Sequence, residues 1–405
     1  MSPSLPLESR DSARIGSTKA ENHSPLDGFR TEVRRFLADA MTPDFRAANA
    51  RQIALYSEPS ISRQWHRILY QKGWITPTWP IKHGGIGWSE LQKYIFDQEC
   101  ALAQTPTLPA AGLLMCGPIL IAYGSPEQQN RFLPRLRSGD DYWCQGYSEP
   151  GAGSDLAALA CRAVRDGDSY VIDGTKMWAT HAHHANWIFQ LVRTVTGLKP
   201  QQGISFLLVE LASPGVTIKP IISMSGEHEV NQVFFDQVRV PVANRIGEEN
   251  AGWDIAKRLL EFERSGVYGP RSRRILTRIE YLARIDGDRS QQPDFRRRFA
   301  QVSIETDTLE SCELRMLSGR PSLSDNVIPS LLKITGTETM QSASELAVLV
   351  GGHRAAYVCD SNPPHPIVGE SAISMARYLN TRAATIYGGS SEVQRNILAR
   401  TALGL

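Results

Sequence analysis

Gln145-Gly-Tyr-Ser-Glu-Pro-Gly-Ala-Gly-Ser-Asp155, followed by Met177-Trp-Ala-Thr180, is the stretch on which the reading of this chain turns. Gly146, Gly151 and Gly153 let the backbone come close to a ligand, Ser148 and Ser154 supply hydroxyl donors and acceptors, and Trp178 supplies a flat apolar face. Together they suit a flat, polar cofactor. A Gly-Pro-Ser cluster by itself describes a surface turn more often than a cofactor cradle, so the glycines alone decide little.

On the N-terminal side of this stretch, from about 26 to 140, apolar residues recur at three-and-four spacing, as Phe29, Val33 and Phe36 do, which predicts helices. Gly124-Ser125-Pro126-Glu127-Gln128 predicts a helix start, with Ser125 as cap, Pro126 in the first turn and Gln128 completing a capping box. The character changes at about 141. Tyr170-Val-Ile-Asp-Gly-Thr-Lys-Met-Trp178 carries Asp173-Gly174 between strand-like runs, a hairpin signal, and further strands are predicted over 186–193, 204–211, 216–221 and 232–240. Consecutive strands without long helices predict a compact antiparallel β domain. After Pro241 the helical pattern returns and runs to the end. The expected fold is α+β: a mobile leader over 1–25, an N-terminal helical domain over 26–140, a central β domain over 141–245 and a C-terminal helical domain over 246–405. Residues 285–293 and 319–326 read as polar loops.

Composition narrows the function classes. The chain has 405 residues, a formal charge of +2, and apolar and charged fractions of 41% and 21%, those of an ordinary globular protein. Arginines cluster at 271–274 and 296–298 without interleaved aromatics, so no nucleic-acid surface is indicated; most read as solvated helix faces, one or two as partners for a ligand's phosphate. Cys100, Cys116, Cys144, Cys161, Cys312 and Cys359 form no Cys-x-x-Cys pair, which indicates neither a disulfide framework nor zinc. His181, His183 and His184 lack accompanying ligands at metal spacing and read as a polar strand connection. No apolar run reaches the roughly 18 residues of a membrane span, and no signal-peptide core is visible, so the expected location is cytoplasmic.

From Gly252 to Val267 the pattern predicts an amphipathic helix with Trp253, Ala256, Leu260, Glu263 and Val267 on one face. That places the Glu263 carboxylate in an apolar stripe, where it is costly unless paired or lining a cavity. Helix pattern alone leaves both roles open, a buried ion pair or a catalytic base.

The cofactor stretch, the loop Trp79-Pro-Ile-Lys-His-Gly-Gly-Ile-Gly-Trp-Ser89, Asn186-Trp187 and the ending Tyr387-Gly-Gly-Ser-Ser-Glu-Val-Gln-Arg-Asn396 together resemble the acyl-CoA dehydrogenase family of flavoproteins, from about residue 70 to the last. Gly226-Glu-His-Glu-Val-Asn231, Ile246-Gly-Glu-Glu-Asn-Ala-Gly-Trp253 and the ending are similar to the large subunits of its pimeloyl-type members. The resemblance implies helices, β domain and helices in that order, and FAD as cofactor. It implies that Gln145, Tyr147, Ser148, Gly153 and Ser154 line one edge of the FAD, that Trp178 and Thr180 flank its rings, and that Ser390, Ser391 and Glu392 approach from the C-terminal signature. Ser390 and Ser391 also read as caps for a helix over 393–399. Ser154, Arg264 and Gly389 are implied for the acyl thioester or its pantetheine arm.

Many members carry the catalytic glutamate where this chain has Gly388; a second group carries it on a helix in a Glu-Arg pair, which Glu263-Arg264 matches. Glu263 is therefore the implied α-proton base, with its pKa raised by partial burial, and the Gly388 N–H an implied donor to the enolate oxygen. The β-hydride would pass to flavin N5, giving a trans-2-enoyl-CoA, and the electrons to an electron-transfer flavoprotein. Two departures, Pro293-Asp-Phe-Arg-Arg-Arg-Phe-Ala-Gln301 and Val348-Leu-Val-Gly-Gly352, stand where homotetrameric members grip the FAD pyrophosphate of a neighbouring subunit. They leave open a homotetramer or a heterotetramer with a homologous subunit, and favour the heteromer. Fatty, dicarboxylic and steroid side-chain acyl groups all fall within the resemblance. Two other readings stay open: a non-catalytic partner subunit, and a flavin oxidase or monooxygenase on the same scaffold.

Overall fold

The computed structural model describes residues 25–197, 199–264, 267–285, 289–319, 327–356 and 366–405, with the side chains of 261–264 and 366–370 excepted. The expected leader lies outside the described residues save for Pro25, as do Cys359 and most of the 319–326 loop.

The N-terminal region is helical, as its spacing predicts. Pro25–Ala40 buries Phe29, Val33 and Leu37 at three-and-four spacing, with Phe36 packed beside them. The helix Pro126–Ser138 begins as expected: Ser125 accepts from the Gln128 N–H, Gln128 returns a bond to the Ser125 N–H, and Gly139 closes the far end at φ 79°.

The central region forms an 8-stranded sheet: β1 (Trp143–Gly146), β2 (Arg162–Asp166), β3 (Ser169–Thr180), β4 (Trp187–Arg193), β5 (Ile204–Glu210), β6 (Val216–Ile221), β7 (Val230–Pro241) and β8 (Arg245–Ile246). The order is β6-β7-β3-β2-β4-β5-β8, with β1 on β4. Most pairs are antiparallel, as expected, but β1 runs parallel to β4. The strands β1, β2 and β8 are too short or too polar to have shown a period-two pattern.

The Asp173-Gly174 hairpin is corrected. β3 runs straight through that pair, and the turn falls at Gly167-Asp168, where Asp166 faces Ser169 across the ladder and Gly167 takes φ 60°. Gly174 is instead demanded by close approach: a Cβ there would sit 2.7 Å from the Cys161 Cα. The β3–β7 register shifts between Ile172 and Gly174, and the Asp173 carboxylate accepts the Gln237 N–H at 3.0 Å.

Strand β4 is buried on both faces. Phe189 and Leu191 join a core that continues into the N-terminal helices through Trp143, Phe132 and Leu120, while Ile188 and Val192 join a second core with Tyr170, Ile172 and Val233. Among the described residues six α-helices follow the sheet: Gly252–Arg264, Gly269–Ile285, Pro293–Leu317, Val327–Gly351, Pro366–Thr381 and Ser391–Ala402. Gly269–Ile285, Pro293–Leu317 and Val327–Gly351 share a core of Leu276, Ile279, Val302, Ala343 and Leu346. The Gly252–Arg264 helix packs elsewhere, since its Ile255, Ala256 and Leu259 belong to the core of the N-terminal helices and the sheet.

Arg273 and Arg274 do not form the solvated face expected of them. Arg273 pairs with Glu310 at 2.7 Å, and Arg274 donates to the Thr105 carbonyl at 2.7 Å, where burial lowers its pKa to about 10. Arg296–Arg298 do match the expectation, Arg297 and Arg298 pairing with the exposed Asp294.

Candidate active site

β1 and β2 lie one after the other along the same edge of β4, Gly146 opposite Gln190 and Arg162 opposite Arg193. Residues 147–161 therefore leave the sheet between them as a single excursion. Its base is tied down. The Met177 N–H donates to the Ser148 carbonyl at 2.8 Å, and Lys176 Nζ lies 2.6 Å from Glu149 Oε1 and 3.3 Å from the Tyr147 carbonyl. Glu149 also accepts from the Ala160 and Cys161 N–H groups at 2.7 and 3.0 Å, so the two ends of the excursion meet at one carboxylate. At the tip Ala152 is buried and pairs with Glu149, while nothing lies within 4 Å of a Cβ built at Gly151 or Gly153 and Ser154 is exposed.

Beside this loop the β3–β7 register breaks again between Lys176 and Ala179, and Trp178 adopts φ 63° with 54% of its surface exposed. A non-glycine residue in that region costs roughly 1–2 kcal/mol. An indole held half in water forgoes a further part of the roughly 1.5–3 kcal/mol that burial of a large apolar side chain yields. Bulges of this kind re-aim side chains next to ligand sites. Thr180 follows, half-buried opposite Val230, and Gln145 is half-buried on β1. Tyr147 differs from its neighbours: its ring is buried edge-on against Phe189 and Phe206.

At the C-terminal signature Gly388 and Gly389 take φ 65° and 87°. Ser390 caps Ser391–Ala402 by accepting the Val393 N–H at 3.3 Å, as expected. Beneath the turn, the Ser391 hydroxyl and both carboxamide atoms of Gln394 are buried with no hydrogen-bond partner among the described residues. A Cβ on Gly389 would fall 2.4 Å from Gln394 Nε2. Glu392 is exposed in the first turn, and its own N–H and the Ser390 side chain hold its carboxyl below the usual range.

One residue joins these parts. The Glu229 carboxylate accepts from the Leu55 N–H at 3.0 Å and from Asn380 Nδ2 at 3.1 Å, while its carbonyl accepts the His181 N–H at 2.9 Å. The end of β3, the segment before the Pro59–Lys72 helix and the Pro366–Thr381 helix thus converge. Burial raises the Glu229 pKa, against the pull of those bonds.

The helix expected over 252–267 ends sooner: it spans Gly252–Arg264, and Val267 is not helical. Its buried side chains include Ile255, Ala256 and Leu259, with Trp253 and Leu260 only partly buried to the side. Position 263 lies four residues after Leu259 and seven after Ala256, on the line of that buried face. The side chains of Glu263 and Arg264 lie outside the described residues. His183 and His184 lie in the short connection Ala182–His184, which His181 precedes, and no metal-binding group of His, Cys, Asp or Glu occurs among the described residues.

Sequence reasoning missed Lys176, the tie made by Glu149, and Glu229. A signal for the first was present. Tyr170, Ile172, Gly174 and Lys176 alternate along β3, which puts a lysine on the inward side.

The chain matches the models for the N-terminal, middle and C-terminal domains of acyl-CoA dehydrogenases over residues 26–140, 144–238 and 250–403. It is 37% identical over 390 residues to acyl-CoA dehydrogenase IpdE1 of Mycobacterium tuberculosis, covering 94% of this chain and 98% of that one. Acyl-CoA dehydrogenase FadE26 of the same organism is 34% identical over 93% of this chain and 96% of its own. Among solved structures, the steroid acyl-CoA dehydrogenase Tcur3481-Tcur3483 superposes with a TM-score of 0.82 at 29% identity, over 94% of this chain and 97% of that one. The ChsE4-ChsE5 complex of Mycobacterium tuberculosis gives 0.81 at 32% identity, over 97% and 99%.

Proposed function

The chain belongs to the acyl-CoA dehydrogenase family, and from that premise we propose that it converts an acyl-CoA thioester to the trans-2-enoyl thioester with FAD as cofactor. Trp178 carries the reading. Its exposed indole, on a left-handed bulge beside a loop whose Gly151 and Gly153 face open space, is a conformation that a flat ligand would repay. The unpaired polar atoms of Ser391 and Gln394 under Gly389 support the same fit from the other side.

On this reading Gln145, Ser148, Gly153, Ser154, Trp178, Thr180, Ser390, Ser391 and Glu392 hold the FAD, and Tyr147 contributes through its main chain. The bound FAD supplies the acceptor for the hydride that leaves the β-carbon. The rest falls to the chain itself. Glu263 takes the α-proton as the α–β double bond forms, and the Gly388 N–H donates to the thioester oxygen as negative charge builds there. Ser154, Arg264 and Gly389 hold the thioester and its pantetheine arm. An electron-transfer flavoprotein takes the electrons.

The assembly we propose is a heteromer with a homologous subunit. What supports it is the departure at 293–301 and 348–352, together with relatives solved as the ChsE4-ChsE5 complex and as Tcur3481-Tcur3483. The latter's description as a steroid enzyme supports a bulky ring-bearing acyl group. A cytoplasmic location accompanies this reading, because the five described cysteines are all unpaired and no described helix is long and apolar enough to cross a membrane.

The test is anaerobic addition of acyl-CoA thioesters to the protein purified with its homologous partner. Bleaching of the flavin band is expected, slowed about 10²–10⁴-fold in Glu263→Gln with flavin retained. Undiminished bleaching in that variant removes Glu263 as the base. A colourless protein favours the non-catalytic subunit, and rapid reoxidation by air without an added acceptor favours an oxidase.

A further inference from the structure

A small cavity of about 30 Å³ lies between the Pro59–Lys72 helix, the π-helical turn Ala111–Cys116 and the start of β1, and none of the residues assigned above to cofactor or thioester lines it. At roughly 10–15 Å³ for each water, it admits about two waters or one ion of halide size. Ser62, Arg63 and His66, on one face of the helix, form one wall, and Tyr142 and Trp143 form another. π-Helical turns frequently mark functional sites, and here Gly112 lines the cavity where a Cβ would fall 2.8 Å from Leu136 Cδ2.

Two donors in these walls lack an acceptor. Trp143 is 2% exposed, its ring stacked on Trp187 and set edge-on to Phe132, so it cannot turn away; its Nε1–H has no hydrogen-bond partner among the described residues. Arg63 Nε is likewise buried and unpartnered. The rest of that guanidinium is held in place: Nη2 donates to the His184 carbonyl at 3.2 Å, and the Tyr142 ring lies beneath it, 5.2 Å to the centroid. No carboxylate pairs with Arg63 among the described residues. Asp141, the carboxylate in the cavity wall, is taken at both oxygens by Arg135, at 2.9 and 2.7 Å. His66 Nε2 is 2.8 Å from the Arg137 carbonyl and so carries its proton there. The Ser62 hydroxyl has only a 3.5 Å contact with the Pro59 carbonyl.

Indole and guanidinium N–H groups can only donate, and buried donors without an acceptor are costly. We propose that this cavity is a binding site for a small monovalent anion of halide size, held by the Trp143 Nε1–H, the Arg63 Nε–H and the Ser62 hydroxyl. A water would accept from the same groups but leave the Arg63 charge unmatched, with Asp141 already committed to Arg135 as acceptor; an anion satisfies the donors and balances the charge. The site does not depend on the dehydrogenase reading, although its position bears on it. Trp143 and Gln145 share one side of β1, and Arg63 holds the connection that follows Thr180, so one ion braces both strands of the proposed cofactor edge.

The experiment is a bromide titration of the purified protein at constant ionic strength, potassium bromide replacing potassium gluconate, whose anion is too large for the cavity. A saturable rise in thermal midpoint is expected, and in crystals grown with bromide the anomalous signal should fall between Trp143 and Arg63. Trp143→Phe keeps the aromatic packing and removes the N–H; it should raise the half-saturating bromide concentration roughly 10- to 100-fold, as loss of one charge-assisted hydrogen bond implies. Arg63→Lys, which keeps the charge and removes the Nε donor, should shift it in the same direction. A midpoint indifferent to bromide, an unchanged half-saturation in Trp143→Phe, or a water without anomalous signal in the wild-type cavity overturns the anion site. Each of those results leaves the dehydrogenase reading standing, and the crystallographic one holds whatever the variants do to folding.

Discussion

Lys176 Nζ sits 2.6 Å from Glu149 Oε1, with the lysine side chain wholly buried and the glutamate 8% exposed. The pair joins strand β3, which carries Trp178 and Thr180, to the loop that carries Ser148, Gly153 and Ser154. It therefore fixes the separation of the two halves of the proposed cofactor edge. Removing one partner of a buried pair costs about 3–5 kcal/mol, because the other charge stays buried, whereas replacing both with apolar groups of similar volume is far less damaging.

Lys176→Met should accordingly lower the urea midpoint of the flavin-free protein and reduce flavin retention. Lys176→Met with Glu149→Leu should recover much of the midpoint but not the flavin, since the Ala160 and Cys161 N–H groups that close the loop lose their acceptor. Midpoints and bound-flavin absorbance read the two effects separately. Recovery of both in the double variant would show that the pair stabilises the fold without shaping the site.

Trp178 yields the opposite separation. Its φ of 63° is one that glycine adopts without penalty, and about half of its surface is in water. Trp178→Gly should leave the thermal midpoint of the flavin-free protein unchanged or slightly raised while weakening FAD binding roughly 3- to 10-fold, the worth of an aromatic contact of about 0.5–1.5 kcal/mol. Fluorescence titration of the apoprotein with FAD measures the second quantity. An unchanged affinity would remove Trp178 from the cofactor site.

How far the sequence carried these conclusions differs from element to element. Local chemistry was legible: the Ser125 capping box and the strand Val216–Ile221 stand where their residues predict. Asp173-Gly174 misled because a glycine required by close approach to Cys161 looks, in sequence, the same as one required by a turn. The Gly252–Arg264 helix was legible as amphipathic, but its face was misjudged by one position, since Ile255 and Leu259 read as well on a neighbouring stripe. Arg271 and Arg274 are indistinguishable in a basic run, and only the packing of a distant segment ties Arg274 to the Thr105 carbonyl while Arg271 stays exposed. Charges that meet across elements, such as Lys176 and Glu149, leave at most a parity clue.

The histidines offer the last prediction. His181 is buried, with Nδ1 2.6 Å from the Tyr142 hydroxyl; the His183 ring lies 3.9 Å from those of both His184 and His228. Burial, reinforced by the neighbouring imidazoles, lowers both His181 and His183 from 6.5 to about 4. Between those values the unfolded chain holds protons that the folded chain does not, so stability rises with pH across the window; it is fully present above pH 6.5 and is lost as pH falls toward 4. Each such proton changes stability by up to roughly 1.4 kcal/mol per pH unit. Asp97 works in the other direction, because its carboxyl is raised from 3.8 to about 7 and the folded chain holds the extra proton there. The wild-type slope is a difference of these effects, and a variant isolates the histidine share. His181→Gln, which keeps a polar partner for Tyr142, should lose less stability than the wild type between about pH 7 and about pH 5 in urea denaturation. Identical losses in the two proteins would mean that His181 is not the group that charges on unfolding.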